Sequence, residues 1–256
     1  LFKNLNFLGA NGMMFALGVM LFSSLVMMPL FLQSLMGYTA ESAGLVLSGG
    51  GLLLLLMMPI VGVLSTKVQS RYLVAAGWGI LAFSMYYSTK QLDLLISFQS
   101  ASWLRVVQVA GLGFLFVPIN MTSYIGMPPE KSNSIAGTIN FMRNIGSSVG
   151  TSMVTTLIAR RSQVHQNYLV ANVTRGGQQF LGGSQVLSNH IVVGGADAVR
   201  AAQKSLGVLY QSLIVQATTL AYIDTFLVLA GIAAIMFVLS FGLRKNQPGA
   251  RPVALE

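Results

Sequence analysis

The sequence has no cysteine among its 256 residues, and only 8% of those residues are charged. The lack of cysteine excludes a disulfide framework, a thiolate metal site and cysteine catalysis. Soluble domains carry about 25% charged residues, so the low charge content excludes an ordinary soluble domain and a disordered basic tail. Acidic residues are scarce, with 6 against 15 lysines and arginines. In a membrane protein such basic residues mostly set orientation and contact anionic lipid, so a nucleic-acid partner is not indicated.

Long hydrophobic runs dominate the sequence instead. Apolar residues make up 54% of the chain, and the mean hydropathy is +0.70. A bilayer crossing needs about 20 predominantly apolar residues. We therefore predict an all-α integral membrane protein built as a bundle of six transmembrane helices. The predicted spans are Phe7–Leu35, Glu41–Ser65, Tyr72–Ser88, Ala101–Met127, Asn133–Ala159 and Tyr222–Leu243.

The chain divides into four predicted segments. Residues 1–159 hold five spans, 160–221 form an extracytoplasmic (periplasmic) loop, 222–243 form the last span, and 244–256 form a cytoplasmic tail. Apolar residues recur at helical spacing in the second half of the loop, which predicts a helix that continues into the last span. Lysines and arginines beside the short loops place both ends of the chain in the cytoplasm, although the basic residues at 160 and 161 oppose this orientation. Because the sequence begins with Leu1 rather than Met, we interpret it as a fragment of a longer protein.

Arg143 is the most informative polar residue in a predicted span. It lies about 11 residues into the fifth span, which at about 1.5 Å per residue is near the middle of a core about 30 Å thick. A charge at that depth is costly, so it should face protein or a water-filled cavity. Asn140 and Asn144 share its helix face, and we expect a functional or gating role; the alternative is a structural bond to backbone carbonyls. Gly146 and Gly150 form a GxxxG pattern beside that face, which permits close helix packing.

The fourth and first spans also have one polar face each. At a rotation of about 100° per residue, Gln108 and Asn120 lie on either side of Arg105 on one face of the fourth span. Arg105 is near the outer boundary of the span, so its charged end could instead snorkel to the membrane surface. Gln33 lies on the polar side of the first span. Three such faces predict a shared aqueous or substrate-accessible interior, while the amides could instead join helices by hydrogen bonds.

No motif indicates an enzyme. The sequence has no phosphate-binding GxxxxGK loop, no paired acids and no Ser/His/Asp set, and we expect neither a cofactor nor a metal site. His165 and His190 lack metal-ligand spacing. Asp224 is the only carboxylate touching a predicted span, and we expect a helix-entry anchor there rather than a proton site.

Four sets of residues carry a resemblance to a known family: Leu30-Phe31-Leu32-Gln33 with Gly37-Tyr38-Thr39-Ala40, Arg105-x-x-Gln108 with Gly111 and Gly113, Asn140-x-x-Arg143 with Gly146 and Gly150, and Ala221-Tyr222-x-Asp224-x-Phe226. They resemble motifs of the EmrB/QacA family of fourteen-span drug:proton antiporters, which belong to the major facilitator superfamily. The chain is similar to their C-terminal half, and the similarity extends in order along nearly the whole chain. It departs at Ser48-Gly49-Gly50, where the family usually has Ser-Pro-Gly, and we do not predict the effect.

The resemblance implies a proton-coupled multidrug efflux permease of the inner membrane, working by alternating access. Amphipathic drug-like molecules would leave through a cavity between two six-helix halves, powered by the proton gradient. The acidic coupling residues are expected in the absent N-terminal half. Implied partners are the lipid bilayer, that missing half, a periplasmic adaptor protein and an outer-membrane channel. The residues implied to line the cavity or its gates are Gln33, Arg105, Gln108, Asn120, Asn140, Arg143 and Asn144, while Lys67 and Arg71 would latch the cytoplasmic side.

Two other functions stay open on the sequence. One is a dedicated exporter of a single natural compound, such as a siderophore or a metabolite. The other is a membrane module that kept a transporter-like half without transporting anything, for example a signalling or scaffold protein.

Overall fold

A computed structural model describes residues 5–172 and 198–243 of the chain. The described residues form six long α-helices and a short 3-10 helix, Pro129–Lys131, which confirms the predicted all-helical fold. Each predicted span falls on a different helix. The predicted tail and the part of the loop at 173–197 lie outside the described residues. The helices are α1 (Leu5–Ser34), α2 (Ala40–Lys67), α3 (Ser70–Gln91), α4 (Phe98–Ser123), α5 (Ser132–Asn172) and α6 (Ala198–Ser240).

Among the described residues, four helices are long and apolar enough to cross a membrane. They contain the segments Asn6–Ser34, Ala40–Lys67, Phe98–Ser123 and Gln203–Ser240. The other two, α3 and α5, carry more polar residues: α3 has serines and a lysine in its second half, and α5 has a polar face. Their place among the six helices therefore depends on packing against neighbours as well as on their own hydropathy.

Some helix boundaries differ from the predicted spans. The fourth helix ends at Ser123 rather than at residue 127, because the chain turns at Gly126 with a φ of 73° that favours glycine. The fifth helix continues to Asn172, so the polar residues from 160 onward extend it beyond the predicted span. The last helix runs without a break through 43 residues from Ala198, as the apolar spacing predicts.

Helix α4 lies among three neighbours and packs against α1, α2 and α3. A pair of glycines lies at one close approach of α4 to α3. A Cβ atom on Gly77 would lie 3.0 Å from the carbonyl oxygen of Gly111, and the converse distance is also 3.0 Å. Trp78 and Leu81 are fully buried beside this contact. Glycine is needed here because any side chain would separate the two backbones.

The chain separates into two compact units. One contains α1 to α4, α5 as far as Thr155, and α6 from Thr225 onward. The other is Thr156–Asp224, which contains the end of α5 and the first part of α6.

Candidate functional site

The polar face of α5 is open in the described structure. Its amides and hydroxyls are exposed at four-residue intervals, and they include Asn140, Asn144, Ser148 and Ser152. Several bond back to their own helix: Asn140 donates to the carbonyl of Ala136 at 3.0 Å, and Ser148 donates to that of Asn144 at 3.2 Å. Such bonds satisfy the donors and leave side-chain acceptors free. A membrane helix with this surface suits a water-filled cavity or a polar partner.

Arg143 joins this face to α4. Its guanidinium donates to Oδ1 of Asn140 at 2.8 Å, and its Cζ lies 5.4 Å from the centroid of the Phe116 ring. Asn120 donates to the carbonyl oxygen of Phe116 at 2.7 Å. We call Phe116, Asn120, Asn140 and Arg143 the arginine cluster. It offers a half-exposed cation, an aromatic face and two amides, which suit one polar and one apolar part of an amphipathic molecule.

The contact between α1 and α5 fixes the depth of Arg143. A Cβ atom on Gly18 would collide with the carbonyl oxygen of Arg143, so the two residues lie at the same level. Gly18 is about 20 Å from one end of α1 and about 24 Å from the other, at 1.5 Å per residue. Arg143 is therefore level with the middle of a membrane-crossing helix, which is the depth that the sequence predicts for it.

Two further glycines allow this approach of α5 to α1. A Cβ on Gly146 would collide with the carbonyl oxygen of Phe15, and one on Gly150 would lie 2.7 Å from the carbonyl oxygen of Val19. The predicted packing residues Gly146 and Gly150 thus lie at backbone-to-backbone contacts. Gly18 on α1 completes the set, although the sequence alone does not reveal which helix is the partner.

Arg105 and Gln108 are buried in a separate hydrogen-bond network. The Arg105 side chain donates to Ser24 Oγ at 3.0 Å and lies 3.5 Å from Gln108 Oε1. Gln108 donates in turn to Ser88 Oγ at 3.1 Å, so the network links α1, α4 and α3. Arg105 is 4% exposed and Gln108 is fully buried. These two residues are not on the open polar face in this conformation, and Arg105 does not snorkel to the surface.

The two arginines lie at different levels. Ser24 is six residues beyond Gly18, so the partners of Arg105 and Arg143 are separated by about 9 Å along α1. Every ion pair found among residues 5–172 and 198–243 involves Asp224, so neither arginine has a carboxylate partner there. The Nε atom of Arg105 is buried without a hydrogen-bond acceptor. A buried cation without a counter-ion among the described residues is costly to the stability of the fold.

The remaining cavity candidate, Gln33, is not brought into the arginine cluster. It is exposed near the end of α1, about 22 Å along the helix axis from Gly18. Asn144 is exposed one turn from Asn140 on α5. The seven predicted residues therefore lie at four places. The open face of α5 has Asn140, Arg143 and Asn144, and Asn120 lies opposite on α4. The buried network contains Arg105 and Gln108, and Gln33 lies near the end of α1.

Lys67 and Arg71 lie on either side of the short connection between α2 and α3. Lys67 is exposed, and Arg71 donates to the hydroxyl of Tyr72 at 2.6 Å, with its guanidinium 4.5 Å from the Tyr72 ring centroid. Neither forms an ion pair with an acidic residue of the described chain. Any acidic partner for the predicted latch would have to come from elsewhere.

Asp224 lies inside α6 rather than at a helix end. The helix begins at Ala198, about seven turns earlier, so Asp224 cannot cap its terminus. Its Oδ2 instead lies 2.9 Å from Nε2 of His165 and 3.7 Å from Nε of Arg161, both on α5. Sequence reasoning missed His165, because the two residues are 59 positions apart and no spacing motif connects them.

An additional crevice of about 440 Å³ lies between α1 and the end of α6. Methionine, leucine and glycine residues form most of its wall, and none of the predicted site residues contributes to it. Its lining residues are Asn6, Gly9, Gly12, Met13, Met236, Leu239, Gly242 and Leu243.

Comparison with known families agrees with this geometry. The family model described as "Major Facilitator Superfamily" matches residues 1–151, which include α1 to α4 and the arginine cluster. The chain belongs to the major facilitator superfamily. It is a multi-pass membrane protein of a transporter family, and not an enzyme. Six helices with an open polar face on α5 are consistent with that membership.

Several curated proteins are similar to this chain. Multidrug export protein EmrB of Escherichia coli is 30% identical over 174 residues, which are 68% of this chain and 34% of that protein. Fatty acid resistance protein FarB of Neisseria gonorrhoeae is 30% identical over 176 residues, again 68% of the chain and 34% of the relative. Colistin resistance protein EmrB of Acinetobacter baumannii is 24% identical over 241 residues, which cover 94% of the chain and 46% of that protein. The matches thus span between a third and a half of each relative's length.

Proposed function

We propose that the chain is the C-terminal six-helix half of a proton-coupled multidrug efflux permease that works by alternating access. The observation that carries the proposal is the arginine cluster on the open polar face of α5, level with the middle of α1. The order of the family motifs along the chain supports assignment to the C-terminal half. Similarity to EmrB and FarB supports export of amphipathic compounds.

The arrangement suggests a separate role for each of the two arginines, Arg143 and Arg105. Arg143 and the amides beside it contact the polar part of a substrate, while Phe116 contacts its apolar part. The glycine contacts between α1 and α5 allow these helices to shift, because backbone surfaces without side chains slide more readily than interdigitated ones. The buried Arg105 network joins three helices and acts as a gate that rearranges when the cavity opens to the other side.

The charge of the site favours one substrate class. Arg143 is cationic, and no carboxylate of the described residues forms an ion pair with it. This chain's part of the cavity therefore attracts anionic or neutral amphipathic molecules more strongly than cationic ones. The same chemistry supports the alternative of a dedicated exporter of one anionic compound, and the relative FarB is named for resistance to fatty acids, which are anionic amphipathic molecules.

In the proposed topology the six-helix half lies in the inner membrane, and both of its ends lie in the cytoplasm. The segment 160–221 then lies on the periplasmic side, where a periplasmic adaptor protein leading to an outer-membrane channel would dock. The proton-coupling carboxylates would come mainly from the N-terminal half. Lys67 and Arg71 would pair with acidic residues of that half when the cytoplasmic side closes.

Export from pump-deficient cells tests the proposal. Cells carrying the complete parent gene should extrude both laurate and ethidium, and collapse of the proton gradient should abolish the extrusion. Arg143→Gln should lower laurate export about tenfold, since a charge-assisted hydrogen bond contributes about 1.5–3 kcal/mol. Arg160→Gln, which removes an exposed arginine from the same helix, should leave export unchanged.

Other results would redirect the assignment. Export that survives loss of the gradient would contradict proton coupling. Export of laurate alone would favour the dedicated exporter. No export of either compound by protein that is present in the membrane would favour a siderophore or metabolite exporter, or a module that does not transport.

A further inference from the structure

We propose that the crevice between the start of α1 and the end of α6 binds an anionic phospholipid, with an acyl chain in the crevice and the phosphate drawn to basic residues that adjoin it in the sequence. All of its lining residues belong to one compact unit. None of them belongs to the arginine cluster, so the proposal concerns a separate site and does not depend on what the complete protein exports.

The crevice lies at the level where lipid headgroups meet acyl chains. Its wall on α1 runs from Asn6, next to the helix start, to Met13, and its wall on α6 runs from Met236 to Leu243. Each wall extends about 10 Å along its helix, at 1.5 Å per residue. The membrane-crossing part of α1 has 29 residues, whereas about 20 cross the hydrocarbon core. The crevice therefore begins at the headgroup level and enters the hydrocarbon of one leaflet.

The wall of the crevice is apolar and leaves room for an acyl chain. Met13 and Leu243 are buried, whereas Leu239 is exposed. A Cβ atom on Gly12 would have no atom within 4 Å, and one on Gly9 would first meet Leu243 at 3.6 Å. The volume of about 440 Å³ lies within the range of ligand pockets. Lipid tails are expected to fill this space, because an empty crevice loses van der Waals contacts.

Hydrogen bonds hold both walls in place without a ligand. Asn6 is buried, and its Nδ2 donates to the carbonyl oxygen of Thr122 at 3.0 Å, which fixes the start of α1 to the end of α4. The chain after α6 forms a turn in which the amide of Gly242 donates to the carbonyl oxygen of Leu239 at 3.0 Å. The crevice is thus formed before a lipid enters it, which lowers the conformational cost of binding.

The charges that adjoin the crevice in the sequence favour an anionic headgroup. Lys3 precedes Asn6 by three residues. Arg244 and Lys245 directly follow Leu243. A chain segment of three residues spans at most about 11 Å, so this spacing limits the distance of these charges from the crevice. No acidic residue lies within ten residues of any of the three in the sequence. Because basic residues at a membrane surface attract anionic lipid, the crevice should prefer an anionic phospholipid to a zwitterionic one.

Photo-crosslinking on the complete parent protein in phosphatidylcholine nanodiscs tests the proposal without any transport substrate. The probe is phosphatidylglycerol with a diazirine in one acyl chain, and mass spectrometry identifies the peptides to which it becomes attached. Crosslinks should concentrate on residues 6–13 and 236–243. A phosphatidylcholine probe with the same acyl chains should label these peptides about tenfold less, because its headgroup has no net charge to attract the basic residues.

Variants of the wall test whether the acyl chain lies in the crevice. Gly12→Phe fills the space and should lower crosslinking at both peptides about tenfold, and the fold should tolerate it because a Cβ there meets no neighbour within 4 Å. Leu239→Asn places a polar amide on an exposed part of the wall and should also lower crosslinking. Gly231→Phe is the matched control: its Cβ likewise meets nothing within 4 Å, and it lies outside the crevice, so crosslinking should not change.

Charge variants test the headgroup. The double variant Arg244→Gln, Lys245→Gln should lower the preference for phosphatidylglycerol about tenfold, whereas Lys90→Gln, which removes an exposed lysine at the end of α3, should leave it unchanged. Equal labelling of the unaltered protein by both probes would overturn the anionic headgroup. Labelling spread over the membrane surface, or labelling that persists in both Gly12→Phe and Leu239→Asn, would overturn the site itself. None of these results bears on export, which the cellular assay measures separately.

Discussion

Arg143 and Arg105 are both arginines within membrane helices, but they have different surroundings. Arg143 is half-buried on an open face beside Phe116, whereas Arg105 is enclosed by Ser24 and Gln108. Because burial and hydrogen bonding differ, we expect the same side chain to serve different purposes at the two positions. This contrast gives each arginine its own test.

Arg143→Cys should react with water-soluble thiol reagents in the folded protein, because its position opens to the proposed cavity. The chain contains no cysteine, so the introduced thiol is its only reactive one. Ile139→Cys is a matched control on the same helix, since Ile139 is 2% exposed and should stay unlabelled. Labelling of Arg143→Cys only after unfolding would assign Arg143 a structural role.

Arg105→Met should abolish export without lowering thermal stability. The substitution removes a buried cation that has no carboxylate partner in the described chain and replaces it with an apolar side chain of similar length. Replacement of buried charges by apolar groups is often neutral or stabilising. We expect the Tm in detergent to stay constant or to rise by about 2–4 °C, the change that corresponds to about 1 kcal/mol in a protein of this size. A Tm that falls by more than about 4 °C would show that the hydrogen-bond network of Arg105 stabilises the fold.

Helix packing depends on the absence of side chains at a few points. Gly146→Ala would place a methyl group against the carbonyl group of Phe15, so α1 and α5 would have to separate. Such overpacking costs about 1–3 kcal/mol, and we expect a lower Tm together with weaker export. Gly137→Ala is the matched control, because a Cβ there has nothing within 4 Å. Replacement of this second glycine should be neutral or slightly stabilising, since alanine favours the helix more than glycine does. If both variants melt at the same temperature, the α1–α5 contact is not tightly packed.

Helix extents divide into those that sequence reasoning predicts and those that it misses. Apolar runs and charge-free stretches predict the six helices because membrane-crossing length and hydropathy are local properties. The extension of α5 to Asn172 is missed, because the polar residues beyond the predicted span mark the end of the apolar run but not of the helix. A polar segment can continue a helix that has already been nucleated, because each further residue adds a backbone hydrogen bond.

At the scale of the whole molecule, the candidate site is predicted only in part. Helical periodicity places Asn140 and Asn144 on the face of Arg143, because residues three or four positions apart are neighbours on a helix. The cation–π contact with Phe116 and the pairing of His165 with Asp224 depend on how separate helices meet. Which helices meet, and at which residues, is a property of the tertiary structure, so the spacing of residues along the sequence does not predict these two contacts.

The low hydropathy of α3 and α5 has a consequence for how the protein is made. A segment too polar to partition into lipid alone needs a partner that shields its polar groups during insertion. For α3 that partner is α4, which follows it directly and meets it at Gly77 and Gly111. For α5 it is α1, which is synthesised earlier and meets α5 at Gly18 and Gly146. We therefore expect membrane insertion of this chain to be cooperative, because α3 needs a helix that is made after it and α5 needs one that is made before it.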